Sequence, residues 1–297
     1  MSRKQSGGFA LIYAIVFVGA VSAMSVGLFT VVKNFYERRA SVELESQYFR
    51  ILKDFPTTLE QKLSKIKNES DFEYFLLYNT EYEFSNGELN IKISAKPIND
   101  KMFFSDVFDG VSGNIREEYA RVLTETLDFY GIKYKSFFLA MLQDSIDSDR
   151  FERERGSELS ARYRNFQDGE IESYDDLKRI IEFYKLETGD KNIDSIDWRV
   201  FFNFYKKPAK YFVDCKIMAP EVYSIVSAYT GEGFYDCAGI TASKNFEKFK
   251  KSFSIISFDP RSPYSFLVDV NISKNKTQNL EKKFIYESGS KQITLIK

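Results

Sequence analysis

The chain has 297 residues, with 42 basic and 43 acidic side chains, a formal charge of −1 and no histidine. Near-neutrality leaves no global attraction for nucleic acid or an anionic bilayer. The lack of histidine excludes Ser-His-Asp and Cys-His nucleophile arrangements and every histidine-containing metal site.

At the N-terminus a short leader carrying Arg3 and Lys4 ends at Ser6-Gly7-Gly8, and an uncharged apolar run follows from Phe9 to Val32. About 24 helical residues extend about 36 Å, enough to cross a hydrocarbon core of about 30 Å. A single span in lipid must be helical, because each backbone polar group needs an internal partner. Gly19, Gly27, Ala20, Ala23, Ser22 and Ser25 leave room for close helix packing there. A secretory signal peptide would have a shorter apolar region, about 7–15 residues, followed by its small-residue cleavage site. Here the small residues precede the run. A plain single-pass anchor is the other reading, and orientation stays open by charge counting, since Lys33, Arg38 and Arg39 balance the leader.

Helical periodicity continues beyond the run through Val42, Glu45, Tyr48, Phe49, Leu52 and Phe55, and Pro56 is expected to end or kink this helix. Thr57 or Thr58 is placed to cap a shorter continuation bearing Leu59, Leu63 and Ile66. Period two then replaces period 3.6. Tyr82 and Phe84 alternate with acids, Leu89, Ile91 and Ile93 alternate with polar residues, and Asn86-Gly87 between them predicts a hairpin with positive φ at both turn positions.

From about 105 to 248 the pattern is mostly helical. Asn114 is the expected cap of a helix with Ile115, Tyr119, Val122, Leu123 and Leu127 on one side, stopped at Gly131. Ser173 and Asp176 form a capping-box pattern before Leu177, Ile180, Ile181 and Tyr184, with Gly189 as the stop. Pro220 suits a first helical position, with Val222, Ile225, Val226 and Tyr229 behind it and Gly231 after. The basic stretch Lys248-Phe249-Lys250-Lys251 reads as a solvated helix face. Strand-like segments return at Ser265 to Ser273, Lys282 to Ser288 and Gln292 to Lys297. Strands before and after a helical insertion of about 140 residues imply an α+β fold whose last strands complete the first hairpin's sheet.

Two cysteines, Cys215 and Cys237, cannot by themselves make a four-ligand zinc site. They either pair or stay as buried thiols; pairing would contribute about 3 kcal/mol by restricting the unfolded chain. Asp144, Asp147, Asp149 and Glu158 offer hard oxygen ligands close together in sequence, a set that suits calcium. Their spacing is not that of an EF-hand. Arg150, Arg153 and Arg155 lie among them and equally suit a solvated acidic loop of ion pairs. Asp147 and Glu158 are the one carboxylate pair considered for catalysis, in a membrane-anchored exported enzyme.

The small residue at Gly8 followed by Phe9-Ala10-Leu11-Ile12 and the apolar run looks like a class III prepilin signal. The order of elements resembles the minor pseudopilin K family of type II secretion, whose pilin-like sheet is interrupted by a large helical domain. Asp144-Ser145-Ile146-Asp147-Ser148-Asp149, with Gly156-Ser157-Glu158 and Tyr163, is similar to that family's Asp-Trp-Ile-Asp-x-Asp and Gly-Ala-Glu elements. Ser173-Tyr174-Asp175-Asp176-Leu177 resembles its Ser-x-x-Glu-Leu segment. Val213 to Val222 is similar to a stretch of Asn-x-Asn-Thr-Ala type, but the asparagines are missing here, which puts their role in doubt.

The resemblance implies a leader at 1–8 removed between Gly8 and Phe9, and a membrane and assembly helix at 9–32. It implies a pilin-like helix and first strands at 33–104, an inserted helical domain at 105–248 and C-terminal strands at 249–297. The fold class is thus a long N-terminal helix and antiparallel sheet interrupted by a mostly helical insertion. The implied place is the bacterial inner membrane, single pass, with the N-terminus cytoplasmic and the soluble part periplasmic. The implied partners are other minor pseudopilins, the major pseudopilin, a prepilin peptidase and the inner-membrane assembly platform, with calcium in the helical domain and no nucleic acid. The implied role is non-enzymatic: capping and helping to initiate a pseudopilus for protein export. A minor pilin of a type IV pilus or DNA-uptake machine shares signal and fold and is the main alternative; a membrane-anchored exported binding protein or carboxylate enzyme ranks below it.

After cleavage Tyr13 is the fifth mature residue, where most pilin-like subunits carry a glutamate. In the family picture that glutamate pairs with a neighbouring subunit's N-terminal amine. A tip subunit has no neighbour above it, and an unpaired carboxylate in lipid is costly. The family's tip member lacks that acid, so Tyr13 implies a tip position.

Overall fold

The computed structural model describes residues 6–110, 112–147, 149–164, 166, 168–234, 236–259, 262–275 and 278–296, with backbone alone at 6–23, 228 and 230. A single helix, α1, runs from Ser6 to Leu63. Met24, Val26, Leu28, Phe29, Val31 and Val32 are all exposed, so the described end of the apolar run has no protein cover. Among the described residues no helix is long and apolar enough to cross a membrane. Residues 9–23 of the expected span lie outside the described side chains.

From Ala40 onward burial on α1 becomes one-sided, falling on Ala40, Leu44, Tyr48, Phe55 and Leu59. Steps of four and seven residues put these on one stripe of a 3.6-residue helix. That stripe explains why Pro56 lies inside α1 and does not end it. The ring removes a backbone donor and costs about 3 kcal/mol. Burial of Phe55 before it and Leu59 after it contributes about 1.5–3 kcal/mol each, which offsets the loss.

Next come α2 (Glu69–Tyr78), β1 (Glu81–Ser85) and β2 (Leu89–Pro97). The hairpin forms as expected, but its turn differs. Gly87 has φ 90°, whereas Asn86 stays out of the left-handed region and instead accepts a hydrogen bond at Oδ1 from the Leu89 N–H at 2.9 Å. The amide side chain does locally what a second positive φ would otherwise do.

Between β2 and β7 lie β3 (Met102–Phe103), α3 (Glu117–Phe129), α4 (Lys135–Asp144), α5 (Leu159–Arg162) and α6 (Tyr174–Thr188). They are followed by β4 (Phe202–Asn203), β5 (Val213–Asp214), α7 (Pro220–Thr230), α8 (Cys237–Ala242), α9 (Phe246–Phe253) and β6 (Ile255–Ile256). The chain closes with β7 (Ser265–Lys274), β8 (Gln278–Glu287) and β9 (Gln292–Leu295). The five-stranded sheet has the order β1-β2-β7-β8-β9, so the C-terminal strands complete the first hairpin's sheet. Backbone bonds from Ile98 to Ser265 and from Asn275 to Glu88 mark β2 and β7 as antiparallel, and β9 pairs antiparallel with β8.

The chain forms two compact units. The first comprises Met1–Leu59, Glu81–Ile93 and Asp269–Lys282; the second comprises Glu60–Thr80, Ser94–Val268 and Lys283–Lys297. In the first, Phe55 meets Tyr82 edge-on at 5.2 Å and Lys274 pairs with Glu43 at 2.5 Å. The second holds the larger core. There Phe104 stacks on Phe204 at 5.0 Å, and Phe138 stacks on Trp198 at 5.9 Å and meets Tyr184 edge-on.

Asn99, just after β2, is fully buried and serves as a junction in the second unit. Its Nδ2 donates to the Phe212 carbonyl at 2.8 Å, its Oδ1 accepts from the Ser265 N–H at 2.9 Å, and its carbonyl accepts from the Asp214 N–H at 2.9 Å. One residue, through its side chain and its carbonyl, therefore ties the segment after β2 to β5 and the residue before it, and to the first residue of β7. Asp214, also buried, accepts from the Tyr264 hydroxyl and from the Lys216 N–H at 3.0 Å. Cys215 and Cys237 form a disulfide with a Cα–Cα distance of 5.0 Å, fastening the segment after β5 to the first turn of α8.

Candidate functional site

The acidic loop is built around the end of α4. Asp144 is the last residue of that helix and is fully buried. A carboxylate there faces the negative end of the helix dipole and has lost its water, so it needs strong donors. Arg153 supplies two: its backbone N–H reaches Asp144 at 3.1 Å and its Nη1 reaches the same carboxylate at 2.5 Å. Nη1 also donates to Asp147, and Nη2 donates to the Asn114 side-chain oxygen at 3.0 Å. The Ser157 hydroxyl donates to Asp144 Oδ2, the oxygen that also accepts from the Arg153 N–H.

Asn114 was expected to cap α3. It does not; the N-cap is Arg116, and the Asn114 amide oxygen faces Arg153 and the Gln143 Nε2, at 3.2 Å. The neighbouring Gly113, at φ 68°, permits this approach, because a Cβ there would meet the Asp147 Cβ at 3.1 Å. The other expected starts and stops of the insertion stand. Ser173 and Asp176 form the capping box of α6, Gly189 closes it in the left-handed conformation, and Pro220 is at the first position of α7 with Gly231 closing it.

Of the four acids singled out in the loop, Asp144 and Asp147 share Arg153, and the other two stand apart from it. Asp149 is exposed and accepts from the Phe151 N–H at 2.8 Å, a local turn. Glu158 is buried at the start of α5, and its Oε1 accepts from the Ser160 N–H at 3.2 Å and hydroxyl at 2.5 Å. Its Oε2 has no partner, nor have Oδ1 of Asp147 and Oδ1 of Asp168.

Burial raises the Glu158 carboxyl above its ordinary range, the charges of Asp168 and Asp144 add to this, and the Ser160 hydrogen bonds oppose it. Burial likewise raises Asp168, with Asp147 and Asp144 adding to the effect and Ser160 and Arg150 opposing it. Burial works against the Arg153 charge, yet its bonds to Asp147 and Asp144 hold its pKa above the ordinary value.

Among the described residues no three Cys, Asp or Glu side chains converge as a metal cage. With the Arg153 guanidinium between Asp144 and Asp147, the residues present do not fit a calcium ion at that place. A polar cavity beside the loop is lined by Asp106, Asp109, Asp147, Asp149 and Glu170, and Glu158 is not on its wall. The carboxylates considered for acid–base work, Asp147 and Glu158, thus do not share this cavity. Arg153 was visible in the sequence as a candidate counter-charge. Asp168, Asn114 and Ser160 were not, because no periodicity or motif links them to the acids they meet.

The backbones of Gly8, Phe9 and Tyr13 belong to α1, and their side chains lie outside the described residues, as do residues 1–5 altogether.

No family model matches the chain, and no curated protein matches it. Among solved structures the chain is similar to one in the crystal structure of the GspK-GspI-GspJ complex from the type 2 secretion system of enterotoxigenic Escherichia coli. The two are 12% identical, the match covers 87% of this chain and 98% of that one, and the TM-score is 0.49. At that identity and score the likeness carries no argument about what this chain does.

Proposed function

We propose that the chain is a minor pseudopilin that caps, and helps to initiate, the periplasmic pseudopilus of a type II secretion system. The observation that carries this reading is the Gly8-Phe9 junction lying within an unbroken helix, Ser6–Leu63, that runs from the apolar segment to one-sided burial beside the hairpin. A helix of 58 residues at about 1.5 Å rise is about 87 Å long, enough to lie partly in lipid and partly on a soluble unit. The all-round exposure of apolar residues 24–32 supports the same division, since a helix apolar on every side is covered either by protein or by lipid.

In this reading a prepilin peptidase cuts after Gly8, leaving Phe9 as the new N-terminus and 9–32 as the span. The soluble part is then periplasmic, and the apolar helix packs with other minor pseudopilins and the major pseudopilin on the inner-membrane platform. The helical insertion between β2 and β7 supports a terminal position, because added bulk hinders stacking of a further subunit yet is tolerated on a cap. No step of this assembly role calls for catalysis by the chain.

Co-expression with a prepilin peptidase followed by N-terminal sequencing tests the reading. The expected N-terminus is Phe9; retention of Met1, or cleavage beyond Val32, sinks it. Loss of protein export on deletion of the gene, with transformation intact, is the expected result for secretion as against a DNA-uptake machine.

A further inference from the structure

We propose that Arg153 is the resident counter-cation of the acidic loop, so that the inserted helical segment holds its fold without a divalent ion. Asp144, Asp147 and Asn114 meet at this one side chain. Arg153 takes both a backbone and a side-chain bond to the fully buried Asp144, a second carboxylate at Asp147 and a neutral oxygen at Asn114. The planar guanidinium suits this task, since its N–H groups diverge in fixed directions and satisfy acceptors on different segments at once. The same Asn114 oxygen also accepts from the Gln143 Nε2 at 3.2 Å. Ser157 donates to Asp144 Oδ2 beside the Arg153 N–H and accepts from the Glu154 N–H at 3.0 Å.

A divalent cation between Asp144 and Asp147 would have to displace a group that is tethered to the same loop and already bonded to both. Tethering gives the guanidinium a high effective concentration at its seat, which free calcium must outcompete. The loop therefore stands on an ion pair fixed by the chain. The resemblance drawn from the acidic motif implies calcium in this part of the fold, and the arrangement here disagrees with that implication through a named side chain. This inference rests on the loop geometry alone and is independent of cleavage at Gly8 or of any assembly role.

The experiment is thermal melting of the full chain in detergent, with EDTA and with millimolar calcium chloride, for wild type, Arg153→Met and Arg153→Lys. Wild type is expected to melt at the same temperature in both solutions. Arg153→Met is expected to melt lower by several degrees in EDTA, since it leaves the buried Asp144 carboxylate without its counter-charge. Should Arg153→Met fail to fold, Arg153→Lys decides: it keeps the charge without the fork, and is expected to fold with a smaller loss and no response to calcium. A wild-type or Arg153→Lys melting point that rises with calcium overturns the proposal. So does an Arg153→Met protein that melts like wild type in EDTA.

Discussion

Glu158 begins α5 with one carboxylate oxygen held by Ser160 and the other buried without a partner. Its folded pKa is raised, by burial first and then by Asp168 and Asp144, so the folded chain holds this proton more tightly than the unfolded one. The sign follows: its contribution to stability is fully present below the ordinary glutamate value of about 4.3 and is lost as pH rises through the raised folded value. Asp168 is shifted in the same direction and adds to the trend. Glu158→Gln removes the charge and keeps an oxygen for Ser160. The gain comes from losing a buried charge that Asp168 and Asp144 repel, since the amide nitrogen keeps a polar atom at the unpartnered position; each kcal/mol moves a chain of this class by about 2–4 °C. The variant is expected to melt a few degrees higher than wild type at pH 7 and to gain less on acidification toward pH 5, as read by circular dichroism. At this scale the sequence identified the acids and the arginines. It did not say that Arg153 takes Asp144 and Asp147 while leaving Glu158 to a serine, because that choice depends on which loops the fold brings together.

Elements with local instructions were legible, and α6 is the clearest. Ser173 caps the Asp176 N–H, Asp176 returns the bond to the Ser173 N–H at 3.0 Å, and Gly189 closes the helix at φ 70°. All these bonds lie within three or four residues, so no distant contact was needed to foresee them. Ser173→Ala is expected to cost about 1 kcal/mol and to lower the melting temperature by about 2–4 °C, with unchanged helical content below the transition. Pro56 and Asn114 went the other way. Pro56 was expected to end or kink its helix, and the helix does not end there but continues between buried Phe55 and Leu59. Asn114 was expected to cap a helix, but its amide turns to Arg153, 39 positions along the chain. In both cases a local preference worth about 1–3 kcal/mol met tertiary burial or a charged partner of similar or greater size.

For the whole molecule, two features stand out: the apolar N-terminal run, and the sheet in which β1 and β2 pair with the C-terminal strands β7 to β9. Tyr13 belongs to the first. If the chain caps a filament, Tyr13→Glu places a carboxylate in lipid with no subunit above to neutralise it. The variant is expected to be processed at Gly8 but to give clearly fewer assembled pseudopili than wild type, counted by electron microscopy with pseudopilins overproduced; equal counts would remove the tip argument. By itself the sequence determined the apolar run, the Gly8-Phe9 junction, the hairpin at Asn86-Gly87, the bounds of α6 and α7 and the α+β order, since each is written in neighbouring residues or in a period. Tertiary structure alone decided the strand order β1-β2-β7-β8-β9, the Asn99 junction to β5 and β7, the Cys215–Cys237 bond and the seat of Arg153. Those depend on residues from about 10 to 190 positions apart being buried together. Such pairings are set by the shared burial of many side chains, which no short segment encodes.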